Sequence, residues 1–381
     1  MGKTVSKLRI IAWVIATAAL AAYVVLAPSI IERGMRFGEY GERFRREREP
    51  YSGEITVWHI VSFRPYLGSA GNWLSKRAAE VEKAHFGVYF NVTAMSIEEC
   101  ALKLENGECA DVYSFPSGWC AHAALHALDV ELPERMSQDM AALGQAEGEQ
   151  YAVPLFYSVY SLLVNARIAS EKGVGLPSDA VTRAFVSEAC DKLDFSLKSG
   201  RVYGMAGNAV VAALYGAHGD IAGVRAFRDG DASMAVADMR FVGDMDRFNK
   251  SGKGFEFALY PLSAYTDLVQ FIGVNADVEA AKLPYCFELI ELAVSDGAQL
   301  ALAQIGLFGS VTPEDATVYE QEHVQLAFDA AHGVSMANTF EHYRRRDEIS
   351  RLAARALAGG EDDSAALADA LEELVRELKI E

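Results

Sequence analysis

The chain has 381 residues, 51% of them apolar, enough for one large domain or two ordinary ones with sizeable cores. Its 53 acids outnumber 35 Lys and Arg residues, giving a formal net charge of −18. That balance excludes a general nucleic-acid binder, which needs a basic footprint, and no nucleic-acid partner is expected.

A basic head with Lys3, Lys7 and Arg9 precedes an uncharged run over residues 10–31. The run is roughly the 20 residues that a helix needs to span a bilayer. Residues 1–31 therefore read as a signal-anchor or transmembrane segment, with the bulk of the chain outside the membrane. Residues 19–21, Ala-Leu-Ala, offer a small-x-small cleavage site, and cleavage there would release a secreted protein. The far flank carries more Lys and Arg than the near one, which opposes export by the positive-inside count, but large domains translocate largely regardless of charge. No Cys lies in or just after the run, which argues against a lipoprotein. Residues 32–52 are Arg- and Glu-rich and read as a charged linker.

"GEITVWHIVSF" alternates as a strand with Ile55 and Val57 on one side. A helix follows, capped by Ser69 or Asn72, with Leu74, Ala78, Val81 and Ala84 on its apolar face and Gly87 ending it. "VYFNVTAM" is a second strand, "SIEECALKLENGE" a helix and "CADVYSFP" a third strand, a parallel α/β pattern. Two apolar runs flank Pro154, and long helical segments are expected from there to about residue 226. "DASMAVADM" is a strand, and "GFEFALYPLSAYTDLVQFIGVN" reads as paired strands interrupted at Pro261. The last third is helical and ends in a stripe of Leu367, Leu371, Leu374 and Leu378.

Motifs for chemistry are sparse. His122 and His126 stand four apart on one face of an expected helix, with Cys120 just before, and could bind zinc if a third ligand arrived. No Glu follows the first, so the metalloprotease motif is absent, and two surface or cleft-rim histidines are the plainer reading, with no metal expected. Asp229 and Asp231 do not continue into an EF-hand loop, and "RDGD" has the composition of a tight turn. No phosphate-binding glycine loop, dinucleotide fingerprint or nucleophile elbow occurs, and no cofactor is expected. Five cysteines, Cys100, Cys109, Cys120, Cys190 and Cys286, form no tidy disulfide framework. Cys100 and Cys109 flank a short segment and could pair outside the cell; the alternative is that they are buried small apolar residues.

An aromatic and polar set recurs after successive strands. Trp58, His59, Phe63, Arg64 and Tyr66 accompany the first, and Phe115, Ser117 and Trp119 the third. Tyr157, Ser158 and Tyr160 follow Pro154, and Tyr203, Met205 and Asn208 precede a helical run. Open α/β sheets bind ligands beyond the carboxyl ends of their strands, where rings stack and Arg, Asn or Ser fix orientation. Any one such ring is more often core.

Several segments together resemble the extracellular, periplasmic-type solute-binding proteins of ABC importers, the sugar-binding family that includes maltose-binding protein. "ENGECADVYSF" resembles its G-x-x-P-D segment, with Ala110 in place of Pro. "YAVPLFYSVYSLLVNARI" resembles its crossover, with Val164 in place of Tyr. "FRDGDASMAVADMR" and "LIELAVSDGAQLALAQIGLFGSVTP" resemble a later strand and helix, and the matches run in family order over about residues 53–345. The resemblance implies an α/β, two-lobed periplasmic-binding-protein fold with an interlobe cleft, here preceded by an N-terminal transmembrane helix. Lobe 1 would comprise 53–154 with 260–309, and lobe 2 155–259 with 310–381.

The implied ligand contacts are Trp58, His59 and Phe63 after the first strand, joined by Arg64 from the same loop. Phe115 and Trp119, Tyr157 and Ser158, Gly207 and Asn208 follow, with Phe340 and Tyr343 on the far side. Arg240 stands where the family usually places a stacking ring, and a guanidinium suits a carboxylate, phosphate or sulfate, or donates to hydroxyls. The implied function is capture of a carbohydrate or carbohydrate-like solute by hinge closure, without catalysis, as a monomer that delivers to ABC permease subunits. The alternatives are a ligand-sensing module for a membrane receptor and a membrane-anchored glycoside hydrolase, which would need two carboxylates facing one cleft.

Overall fold

In the computed structural model, residues 51–198, 200–314, 319, 322–331, 339–341 and 346–378 are described. The expected anchor, nearly all of the expected linker and Tyr343 lie outside the described residues. Among the described residues, no helix is long and apolar enough to cross a membrane. The described residues fall into two compact units, one of residues 51–53 and 83–88, the other of residues 54–82 and the described residues from 89 onward. In the first, the Gly53 N–H (2.9 Å) and the Ser52 hydroxyl (3.2 Å) both donate to the Gly87 carbonyl. The second holds two mixed sheets.

Strand β1 (Gly53–Ile60) starts the first sheet, and α1 (Ala70–Ala84) begins where the Ser69 hydroxyl accepts the Asn72 N–H at 3.3 Å. From Val57 onward β1 is buried on both faces rather than alternately, as befits a strand inside an α/β layer covered from both sides. β2 (Val88–Met95) leads to α2 (Ile97–Glu105), whose capping box joins Ser96 and Glu99 reciprocally. β3 (Val112–Pro116) is parallel to β1, with Val57 opposite Val112.

The "CAHAALHAL" segment is not an α-helix. It makes one 3-10 turn, His122–Ala124, and then extends, so His122 and His126 share no helix face. Their side chains have separate partners: His122 Nδ1 meets Glu341 Oε1 at 2.5 Å, and His126 Nδ1 donates to the Ala127 carbonyl at 2.6 Å. Among the described residues no group of three metal-ligating side chains forms. All five cysteines are free, Cys109 exposed and the other four buried.

After α3 (Gln138–Ala142) and the small hairpin of β4 (Gln145–Ala146) and β5 (Glu149–Gln150), β6 (Val153–Tyr157) rejoins the first sheet. The chain then passes at residues 158–159 into β7 (Tyr160–Asn165) of the second sheet. The stretch to residue 226 is not purely helical. Between α4 (Ala166–Glu171), α5 (Arg183–Leu193), α6 (Ala209–Leu214) and α7 (Arg225–Asp229) it holds β8 (Phe195–Leu197), β9 (Gly200–Gly207) and β10 (Ile221–Ala222). β9 escapes a sequence reading because Gly200, Gly204 and Gly207 dilute its strand-forming side chains.

Gly230, at φ 84°, ends α7 and makes the expected Asp229–Asp231 turn into β11 (Ala232–Asp238), which α8 (Met239–Lys250) follows directly. β12 (Phe257–Leu262) and β13 (Val269–Val274) do not pair with each other, contrary to expectation. β12 pairs with β7 in the second sheet, and β13 lies between β6 and β3 in the first. Pro261 sits inside β12, tolerated because β12 is the sheet's edge strand. Helices α9 (Leu283–Ala293) and α10 (Asp296–Ala303) lead to β14 (Phe308–Gly309), which closes the first sheet. The spatial orders are β14-β6-β13-β3-β1-β2 and β10-β9-β11-β7-β12, with β8 on β9.

Helix α11 (Glu322–Ala331) packs near β12 while its Phe328 ring meets Phe308 of the first sheet at 5.4 Å. Residues 339–341 also return to the first lobe: Gly118 N–H and the Ser117 hydroxyl donate to the Thr339 carbonyl. Helices α12 (Arg346–Leu357) and α13 (Glu361–Leu378) then complete the second core. Ile349, Ala353, Leu367, Leu371 and Leu374 pack there with Leu162, Met205 and Val236. The expected leucine stripe is buried at those three positions; the side chain of Leu378 lies outside the described residues.

Candidate functional site

Topology brings one edge of each sheet together. β1, β3 and β6 end on the same edge of the first sheet, and β9 and β11 end on the corresponding edge of the second. Residues 158–159 leave β6 at that edge and enter β7 opposite Asp238, the last residue of β11. Residues 263–268 return from the end of β12, opposite Tyr160, to the start of β13. The crossing segments thus join the carboxyl edges of both sheets, and those edges are where open α/β sheets hold ligands. The crossings are tied together: Ser158 N–H donates to the Leu268 carbonyl at 2.9 Å, and the Thr266 hydroxyl to the Ser158 carbonyl at 2.7 Å. The loop after β1 reaches the second lobe, where Tyr66 meets α8 beneath the Arg247 guanidinium.

The second-lobe wall is polar. Asn208, just past β9, caps α6 by accepting the Val211 N–H at 3.0 Å, and its Nδ2 donates to the Tyr160 hydroxyl at 2.9 Å. That hydroxyl in turn donates to Asp267 Oδ1 at 2.8 Å. Burial, reinforced by the Asp267 carboxylate, pushes the Tyr160 hydroxyl well above the usual phenol range, so it remains protonated as a donor. Asp238 caps α8 by accepting the Phe241 N–H at 2.9 Å, and burial raises its carboxyl above the ordinary value. Arg240 is exposed in the first turn of α8.

On the first-lobe side Arg64 is exposed, and Trp119 is half-buried with its ring 5.3 Å from Phe115 and 5.4 Å from Tyr113. Of the residues singled out in the sequence, Arg64, Ser117, Trp119, Gly207, Asn208 and Arg240 keep surface available at these edges.

The others are packed behind them. Trp58 is buried edge-on to Tyr113 at 6.0 Å, with the Lys103 ammonium of α2 5.5 Å from its ring. His59 is buried, its Nδ1 2.9 Å from the Ser114 hydroxyl, and burial lowers its pKa to about 4, so the ring is neutral. Phe63 packs on Phe156 at 5.8 Å, Phe115 stacks on Phe271 at 6.0 Å, and Phe340 meets Phe271 edge-on at 6.4 Å. Tyr157 packs against Phe308, and Ser158 spends its backbone on the crossing. For the strand residues the physical reason is shared: these strands are covered on both faces, so side chains near their ends enter the layers as well as the cleft.

Asp267, Gly243 and Arg247, which make the contacts above, are not among the residues singled out in the sequence. The one available signal was Asp267, a lone acid in the otherwise uncharged run over residues 257–276.

No family model matches the sequence, and no curated protein matches it either. Solved structures do match in fold. The cyclic alpha-maltosyl-1,6-maltose binding protein of Arthrobacter globiformis aligns with a TM-score of 0.60 at 14% identity, covering 86% of this chain and 99% of that one. The GacH receptor of Streptomyces glaucescens, solved unliganded and with acarbose, aligns at 0.56 and 18% identity over 86% and 99% of the two chains. UgpB of Mycobacterium tuberculosis, in complex with glycerophosphocholine, aligns at 0.55 and 16% identity with the same coverage. At these identities the likeness establishes the two-lobed periplasmic-binding-protein fold.

Proposed function

We propose that the chain is the solute-binding subunit of an ABC importer and captures a carbohydrate or carbohydrate-like solute between its two lobes outside the membrane. The observation that carries this reading is the meeting of two carboxyl sheet edges, joined by two crossing segments that hydrogen-bond to each other. One edge presents Asn208, Asp238 and Arg240, with the buried Tyr160 behind Asn208 and Asp267 on the crossing, and the other edge presents Arg64 and Trp119. Such a wall of fixed donors and acceptors beside an indole face suits a polyhydroxylated ligand. The similar structures named above hold acarbose or glycerophosphocholine, or bind a cyclic maltosyl-maltose, which supports a hydroxyl-rich solute of this class.

The first lobe comprises residues 53–157 and 269–309, and the second residues 160–262 and 346–378. The solute shifts the balance between open and closed lobes, and permease subunits read the closed form. Residues 1–31 hold the chain at the membrane. Arg64, Trp119, Asn208 and Arg240 contact the solute directly, and the chain performs no reaction on it.

A thermal-shift screen of the full chain tests this, with neutral oligosaccharides, sugar acids and phosphorylated polyols as probes. A solute at 100 times its Kd adds about 2.7 kcal/mol of stability and raises Tm in a concentration-dependent way. The hit should be recovered chemically unchanged. No shift from any member at millimolar concentration, or a hit that is cleaved, overturns the reading.

A further inference from the structure

Tyr66 is held by the first lobe and pressed onto the second. The Leu67 N–H donates to the Ile305 carbonyl at 3.0 Å, which seats the loop on the turn after α10. A Cβ added to Gly306 would lie 2.8 Å from the Tyr66 Cβ, so the side chain has no room behind it. In front lies α8. A Cβ added to Gly243 would fall 1.8 Å from Cδ2, 1.9 Å from Cε2 and 2.7 Å from Cγ of the Tyr66 ring. Because Cγ is among these atoms, turning the ring about its Cβ–Cγ bond alone would not clear a Cβ there; χ1 or the helix itself would have to move. One turn further along α8, the Arg247 guanidinium stands 5.3 Å from the ring centroid, within cation–π range, and Asp244 pairs with that guanidinium. Glycine is a poor helix former in the interior of a twelve-residue helix, yet only glycine admits the ring at this position.

We propose that Tyr66, Gly243 and Arg247 form a latch that draws the two lobes together without help from a solute. This rests on the reading that the lobes open and close, but the contact itself requires no ligand. It gives the empty protein a closed population, and apparent affinity scales with that population. Gly243 therefore controls solute affinity by setting how often the cleft is closed.

Hydrogen exchange of the full chain in detergent, without solute, tests the latch, each variant being read on the opposite lobe. Gly243→Ala should speed exchange at least tenfold over residues 61–69, and Tyr66→Ala should do the same over residues 239–250. Exchange in β3 and β11 should stay at the wild-type rate in both. Tyr66→Phe keeps the ring and should behave as wild type, and the double variant should exchange no faster than either single one. Wild-type exchange across the lobes in both single variants overturns the latch. The experiment needs no solute, so a failed solute screen leaves its result standing, and a failed latch leaves the solute reading standing.

Discussion

The Tyr160 hydroxyl donates to Asp267 Oδ1 at 2.8 Å and so fastens the first residue of β7 to the segment that crosses back to the first lobe. The same oxygen accepts from Asn208 Nδ2, which places a strand end, a helix cap and a crossing residue in one series. Tyr160→Phe keeps the packing and removes both bonds. It should lower stability by about 1–2 kcal/mol, since it leaves the Asn208 amide without its partner. Urea unfolding of the two proteins measures the loss, and an unchanged midpoint would show that the series holds nothing.

Asp238 separates two effects in one side chain. Its oxygen caps α8, which is favourable, while its buried charge is not, as the raised pKa shows. Asp238→Asn keeps a capping oxygen and removes the charge, so it should be neutral or stabilising. Asp238→Ala should cost about 1 kcal/mol. Thermal unfolding at pH 7 distinguishes the two substitutions, and equal losses contradict the account.

His59 makes the first lobe acid-sensitive. Folded, its pKa falls from 6.5 to about 4 because the ring is desolvated beside Ser114. Unfolded, it takes up a proton below about pH 6.5, so the unfolded state binds more protons between these values and stability falls with pH across that window. The full contribution approaches about 3 kcal/mol and is present above pH 6.5. His59→Gln should flatten this part of the profile in urea unfolding between pH 7 and pH 4.5.

Trp58 and Arg240 should behave oppositely. Trp58 is buried against Tyr113 and beneath Lys103, so Trp58→Ala should cost about 3–5 kcal/mol of stability. Arg240 is exposed, so Arg240→Ala should leave Tm unchanged and weaken binding of the screened solute about tenfold or more. Calorimetry and a melting curve on each variant check both halves.

Local signals in the sequence were faithful where one segment decides its own structure. The helix over "SIEECALKLENGE", the turn at Gly230 and the buried leucines of α13 all follow from short-range chemistry. β9 was hidden by its three glycines, and the separation of β12 from β13 by partners distant in the chain. Two apolar runs either side of residues 263–268 look like a hairpin until β7 and β3 compete for them. How far the proposed contacts are exposed was not legible for the same reason. Period-two alternation cannot say which ring after a strand enters a layer covered on both faces, so Phe115 and Trp119 looked equivalent. Gly243 carries no signal of its own, because its role exists only in contact with Tyr66.

Two-walled capture is tested most directly by hydrogen exchange of the full chain with and without the solute found by the screen. Solute should slow exchange together on residues 61–69 and 117–120 of the first lobe and on residues 207–212 and 238–247 of the second. Protection confined to one lobe, or lying away from these edges, would contradict capture between the lobes.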